Sequence, residues 1–95
     1  MANICDNEMY VYTENKENVE HINEFLKEHF NSECTNIGDN EYEAFFDSKW
    51  DFPEDLMDEM VKDISDKEHI YIRVLSVEYG CLYCAFHTYE GDDWE

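Results

Sequence analysis

The chain predicts an α+β two-layer sandwich: a mostly antiparallel four-stranded sheet with two helices on one face, in the order β-α-β-α-β-β. Three observations carry that expectation. Between His69 and Tyr89, two runs rich in β-branched and aromatic residues flank Glu78-Tyr79-Gly80, a turn signal, and read as a hairpin. Two earlier stretches carry apolar residues at helical spacing with carboxylates on the other side. Hydrophobic residues make up 43% of the chain and aromatics 16%, enough for a packed core despite the charge. A length of 95 residues is expected to form one acidic domain, 1–95, with no room for a second core.

Taken in order, residues 4–13 end in a strand-like run, with Met9 and Val11 on one face and Tyr10 and Tyr12 on the other. Asn15 or Thr13 offers the N-cap of a first helix over 17–30. Its stripe is Val19, Ile22, Phe25, Leu26 and Phe30, opposite Glu17, Glu20, Glu24 and Glu28. Residues 31–40 read as loop, with Gly38-Asp39-Asn40 as its turn. Residues 41–48 alternate as a half-buried second strand, with Tyr42, Ala44 and Phe46 inward and Glu41, Glu43, Phe45 and Asp47 outward. Pro53 suits the first turn of a second helix over 53–65, whose core side is Leu56, Met57, Met60, Val61 and Ile64. After the hairpin, residues 90–95 read as a short acidic tail around Trp94.

Charge decides which functions are open. Twenty-five Asp and Glu against six Lys and Arg give a net charge of −19. Such a surface repels phosphate backbones and anionic membranes, and steers basic partners toward it. The opening residues are polar and acidic rather than a secretory signal, and no apolar run is long enough to span a bilayer. The expected setting is cytoplasmic, with thiols reduced.

Three segments together resemble a known family. They are Asn3-Ile4-Cys5-Asp6-Asn7, the central Phe46-Asp47-Ser48-Lys49-Trp50-Asp51-Phe52-Pro53, and Val77-Glu78-Tyr79-Gly80 followed by an aromatic strand. They look like a small ferredoxin-like domain carried by phages and mobile elements, whose members open Asn-Trp-Cys-x-Asn and carry a central Trp-x-x-Pro. Here Ile4 stands where those members have tryptophan, and Pro53 is the one proline. The resemblance implies a ferredoxin-like fold and a mobile-element origin. The family carries no established catalytic residues, so it assigns none here.

Cys81-Leu82-Tyr83-Cys84 has CxxC spacing, the pattern of a redox pair or half a zinc site. In a strand, residues three apart point to opposite faces, which favours structural cysteines. A turn extending to Cys84 would instead allow a zinc site with Cys5 or His87. His21, His29, His69 and His87 show no metal-ligand spacing. No phosphate loop, nucleophile elbow or calcium loop occurs, so an enzyme is not expected and no cofactor or metal is implied.

The acidic surface is the remaining signal. Glu54/Asp58, Asp55/Glu59, Glu59/Asp63, Glu20/Glu24 and Glu24/Glu28 are like-charge pairs at i,i+4. Each is unfavourable by roughly 0.2–0.5 kcal/mol, and a net charge of only about 2–8 suffices for solubility. The expectation is therefore a non-catalytic acidic inhibitor that mimics nucleic acid on the basic cleft of a DNA- or RNA-handling host protein. With the resemblance, the implied class is phage or mobile-element counter-defence, anti-CRISPR or anti-restriction. The expected contact residues are Glu54, Asp55, Asp58, Glu59 and Asp63 on the second helix, then Glu41, Glu43 and Asp47 on the second strand. Trp94 and Tyr12 are candidate base stand-ins. The alternatives are an interaction module with an aromatic patch around Phe45, Trp50 and Phe52, or a zinc or redox protein through Cys81 and Cys84. An aromatic sheet with an edge strand is also compatible with a homodimer.

Overall fold

The computed structural model describes residues 4–49, 52–64, 66–78, 80, 83–91, 94 and 95, with only the backbone of Tyr83. Asn3, Trp50, Asp51, Ser65, Tyr79 and Cys81, on which parts of the motifs above fall, lie outside those residues. The elements are β1 (Ile4–Thr13), α1 (Lys16–Phe30), β2 (Thr35–Gly38), β3 (Glu41–Lys49), α2 (Glu54–Lys62), a 3-10 turn (Lys67–His69), β4 (Ile70–Glu78) and β5 (Tyr83–Tyr89). The α+β class stands. The sheet, however, has five strands in the order β2-β3-β1-β4-β5 rather than four, and the element order gains a strand before β3. All its pairings are antiparallel.

The added strand, β2, falls in the segment expected to be loop. Thr35, Asn36 and Ile37 are exposed, so no buried alternation marks them, and a register shift between Asn36 and Gly38 shortens the pairing further. Backbone pairing to β3 makes it a strand, and Asp39-Asn40, with Asn40 at φ 60°, closes the hairpin.

β1 is the central strand, paired to β3 on one side and β4 on the other. Its side chains alternate strictly: Cys5, Asn7, Met9, Val11 and Thr13 are buried, while Ile4, Asp6, Glu8 and Tyr12 are exposed. Both helices lie over the buried face. Ile22 and Leu26 of α1 and Met57, Met60 and Val61 of α2 join Met9, Val11, Ala44, Phe46, Ile72 and Val74 in one cluster. Among the described residues, no helix lies on the other face. Within the described residues no helix is long and apolar enough to cross a membrane.

Two polar junctions set the geometry. Asn7 is fully within the core, where strand propensity disfavours it. Its Nδ2 donates to the carbonyls of Cys5 (3.3 Å) and Phe46 (3.2 Å) and to Ser48 Oγ (2.9 Å), and its Oδ1 accepts from Ser76 Oγ (2.7 Å). One side chain thus ties β3, β1 and β4 together. At the opposite end, Asn15 is the N-cap of α1, as expected, accepting from Glu17 N at 2.9 Å while its Nδ2 donates to Asp66 Oδ2 at 3.1 Å. Buried Asn18 donates to the Asp66 carbonyl (2.9 Å), and Thr13 Oγ1 donates to the His69 carbonyl. The β1–α1 turn is thereby fastened to the α2–β4 connection.

α2 is shorter than the 53–65 expected. It begins after Pro53, whose carbonyl accepts from Met57 N at 3.0 Å, and ends at Lys62 with Asp63 as C-cap. Ile64 stays buried beyond the helix, so the apolar periodicity overran the backbone geometry. The segment expected as a short acidic tail around Trp94 folds back onto the domain. Gly91, at φ 100°, turns the chain where a Cβ would collide with the Lys67 carbonyl oxygen. Thr88 and Glu95 then exchange backbone hydrogen bonds of 3.1 and 2.9 Å, and Trp94 packs on Phe52 and Tyr89, with ring centroids at 5.4 and 5.5 Å.

Replacing Asn7 by alanine strands the Ser76 hydroxyl and the Phe46 carbonyl, and is expected to remove about 2–3 kcal/mol from urea unfolding; a loss below about 0.5 kcal/mol would show that Asn7 does not hold the three strands. The second junction is expected to titrate. The Asp66 carboxylate, 2.9 Å from His69 Nδ1, raises the His69 pKa above its ordinary 6.5, and the same contact lowers Asp66 below its ordinary 3.8. Stability from the pair is full above the unfolded Asp value and below the unfolded His value. It is lost as pH rises through the raised His69 pKa or falls through the lowered Asp66 pKa. An NMR titration should place the His69 midpoint above 6.5, with Asp66→Asn returning it toward that value.

Candidate interaction surfaces

The expected contact residues do not form one surface. Glu54, Asp55, Asp58, Glu59 and Asp63 are all exposed on or just after α2, in the helix layer. Glu41, Glu43 and Asp47 sit on the uncovered face of the sheet: Asp47 is exposed, and Glu41 and Glu43 are half-buried. The two sets stand back to back because both helices lie on the face of the sheet opposite to these residues. Alternation within β3 and two helices on one face, both expected from sequence, already imply this separation.

On the helix layer, α1 and α2 border an open groove of about 390 Å³. Glu24 and Glu28 reach it from α1, and Glu59 and Asp63 from the α2 side, beside Lys62, His21 and His29. His21 Nε2 lies 2.8 Å from the Met60 carbonyl; that bond needs the proton on Nε2 and pins one helix to the other. Glu54 and Asp55 lie in the first turn of α2, where the helix dipole favours negative charge. The remainder of the ridge has no such help.

The uncovered face is ordered by strand register. One row across the sheet is Asp47–Asp6–Val77–Cys84, the next Phe45–Glu8–Leu75–Phe86, the next Glu43–Tyr10–Arg73–Thr88. Asp6 thus faces Asp47 directly, an unfavourable cross-strand pair. Tyr10 donates to Glu41 Oε1 at 2.7 Å, and this bond raises the Tyr10 pKa. The Arg73 guanidinium lies 4.2 Å from the centre of the Tyr10 ring. Phe45 is 59% exposed and Phe86 57% exposed, with Ile37 also exposed beside them around a depression of about 370 Å³. Sequence reading missed Asp6, Glu8, Leu75 and Phe86 as surface residues of interest, although the alternation in β1 already placed Asp6 and Glu8 beside Tyr10 and Tyr12.

Several alternatives change on this geometry. The patch expected around Phe45, Trp50 and Phe52 does not form as written. Phe52 is buried, stacked on His87 with ring centroids 3.8 Å apart, and Trp50 lies outside the described residues. Trp94 is packed against the core cluster rather than presented as a base stand-in, whereas Tyr12 is exposed. Cys84 lies on the uncovered face, while Cys5 and His87 lie on the helix side, so a zinc site combining Cys84 with either of them is ruled out by the sheet itself. Cys34 has its thiol pushed up to about 11, by burial first and by Glu33 second, and stays protonated at neutral pH. Among the described residues no group of three or more His, Cys, Asp or Glu is arranged to hold a metal ion.

Neutralisation within the chain is slight. Between described residues two ion pairs form, Lys27–Glu33 at 3.4 Å and His69–Asp66 at 2.9 Å, in a chain with 25 acidic residues. No family model, curated protein or solved structure matches the chain.

Repulsion on the α2 ridge predicts a gain in stability when it is relieved. Glu59→Gln removes the like-charge pairs with Asp55 and Asp63 and should stabilise the chain by about 0.4–1 kcal/mol. Added NaCl should raise the unfolding midpoint of the parent chain more than that of the variant. A destabilised variant, or a midpoint indifferent to salt, would mean the ridge carries no net repulsion.

Proposed function

We propose that the chain is a non-catalytic acidic inhibitor that mimics nucleic acid and occupies the basic cleft of a DNA- or RNA-handling host protein. The observation that carries this reading is the near absence of internal neutralisation: carboxylates of α1 and α2 line one groove, and the few cations of the chain do not pair with them. A surface arranged for solubility alone needs far less charge. Successive turns of α2 repeat about every 5.4 Å, so Glu54, Asp55, Asp58, Glu59 and Asp63 form a ridge able to follow a row of Arg and Lys. Glu24 and Glu28 extend it across the groove. Glu41, Glu43 and Asp47, on the other side of the sheet, are a second contact set rather than part of the same one.

The resemblance of the opening, central and hairpin segments is the ground for placing the chain in phage or mobile-element counter-defence, of anti-CRISPR or anti-restriction type, in the host cytoplasm. A ferredoxin-like relationship is proposed on the layers, the element order and the strand order β2-β3-β1-β4. A split βαβ arrangement sets an antiparallel strand between its two parallel ones, so antiparallel neighbours throughout are compatible with it.

Binding to a basic nucleic-acid enzyme should compete with DNA and weaken at least about tenfold between low and moderate salt. Reversing Asp55, Glu59 and Asp63 to lysine should abolish it. Binding that ignores salt, forms alongside DNA or survives the reversal would overturn the reading.

A further inference from the structure

We infer that the uncovered face of the sheet is a docking surface for a basic protein segment that carries apolar side chains between its lysines or arginines. This rests on the reading that the partner is basic, and it adds a second face and an apolar component to that reading.

The solvent face of an antiparallel sheet is ordinarily polar. Here Phe45, Leu75 and Phe86 come from three strands into one row, broken only by Glu8. With strands about 4.8 Å apart, Leu75 and Phe86 are direct neighbours, and Phe45 lies two strands from Leu75, across Glu8. Neither helix reaches this face, since their buried side chains join the core cluster on the other side. Contiguous exposed apolar surface rimmed by charge marks an interaction site more often than a solvated one.

The rim specifies the occupant. Asp6 and Asp47 border the row on one side and Glu43 on the other, and none makes an ion pair to a described residue. Of the two cations on the face, Arg73 is held over Tyr10, and Lys49 lies at the end of β3 opposite Ile4, one row beyond Asp6 and Asp47. The Asp6–Asp47 apposition is unfavourable in the free chain and is relieved by a cation placed between them. A second copy of the chain answers none of this. It would set the same carboxylates against themselves and join two chains of net charge −19. A partner with an apolar centre and a basic surround fits both components, and water excluded by the apolar contact strengthens the rim pairs.

The test uses two synthetic peptides of equal length and charge. One alternates lysine with serine; in the other, some serines are replaced by leucine. The leucine peptide should bind the intact chain about tenfold or more tighter, the effect of burying at least one leucine. Its NMR shift changes should centre on Phe45, Leu75 and Phe86. The double variant F45S/F86S alters exposed side chains only, and should bring the two affinities within about twofold. Equal affinities for the intact chain would overturn the inference. So would shifts confined to the α1–α2 groove, which leave the acidic-mimic reading standing. Sedimentation showing a peptide-free dimer closed over Phe45 and Phe86 would replace the basic occupant with a second copy. Failure of both peptides to bind at low salt would remove this inference and the basic-partner reading together.

Discussion

Everything in this fold depends on the two unlike faces of β1. The strand is paired along both edges, so its backbone hydrogen bonds are made within the sheet. Its alternate side chains then have only two places to go. Cys5, Asn7, Met9, Val11 and Thr13 go under the helices, and Asp6, Glu8, Tyr10 and Tyr12 go to the other side. A slip of one residue would carry Asp6 and Glu8 into the core and expel Met9 and Val11. Burying two unpaired carboxylates is far costlier than losing the apolar contacts, so charge guards the register as firmly as hydrophobicity does. Asn7 adds a directional lock, because its amide is satisfied only when Phe46, Ser48 and Ser76 are all in place.

That arrangement determines where the acidity is displayed. Carboxylates excluded from the core emerge on two surfaces with the sheet between them. The helix layer offers a groove edged by Glu24, Glu28, Glu59 and Asp63, with Phe25 in its wall. The sheet face offers aromatic and aliphatic side chains with carboxylates around them. The first suits a row of cations of the kind that holds phosphates, the second a protein surface with both charge and apolar relief. Repulsion on both surfaces acts against folding, in a domain whose margin is about 5–15 kcal/mol. A partner's cations remove that repulsion at the same moment as they make new contacts.

Much of this was legible in the residues alone, for definite reasons. The alternation of Met9 and Val11 against Tyr10 and Tyr12, the stripe from Val19 to Phe30, and the N-cap at Asn15 each follow from local spacing. What local spacing could not supply was anything set by long-range pairing. Thr35–Gly38 is a strand only because β3 lies beside it. Trp94 returns to the core only because Gly91 turns and Thr88 receives Glu95. Phe52 looked like surface beside Trp50 but is buried against His87, a residue far away in sequence. For the candidate site the limit was the same. Each carboxylate was placed on the outside of its own element, and helices on one face already part the α2 ridge from Glu41, Glu43 and Asp47, but the row that joins Phe45, Glu8, Leu75 and Phe86 depends on strand register.

The central claim is that one face of β1 is dry and the other open until a partner arrives. It is tested most directly by adding a soluble paramagnetic agent to the isotope-labelled chain and reading signal attenuation residue by residue. In the free monomer, signals of Ile37, Phe45, Leu75 and Phe86 should be strongly attenuated, while those of Met9, Val11, Ile72 and Val74 are spared. Protection of the first group in the free chain would mean that the sheet face is already covered, and would contradict the account.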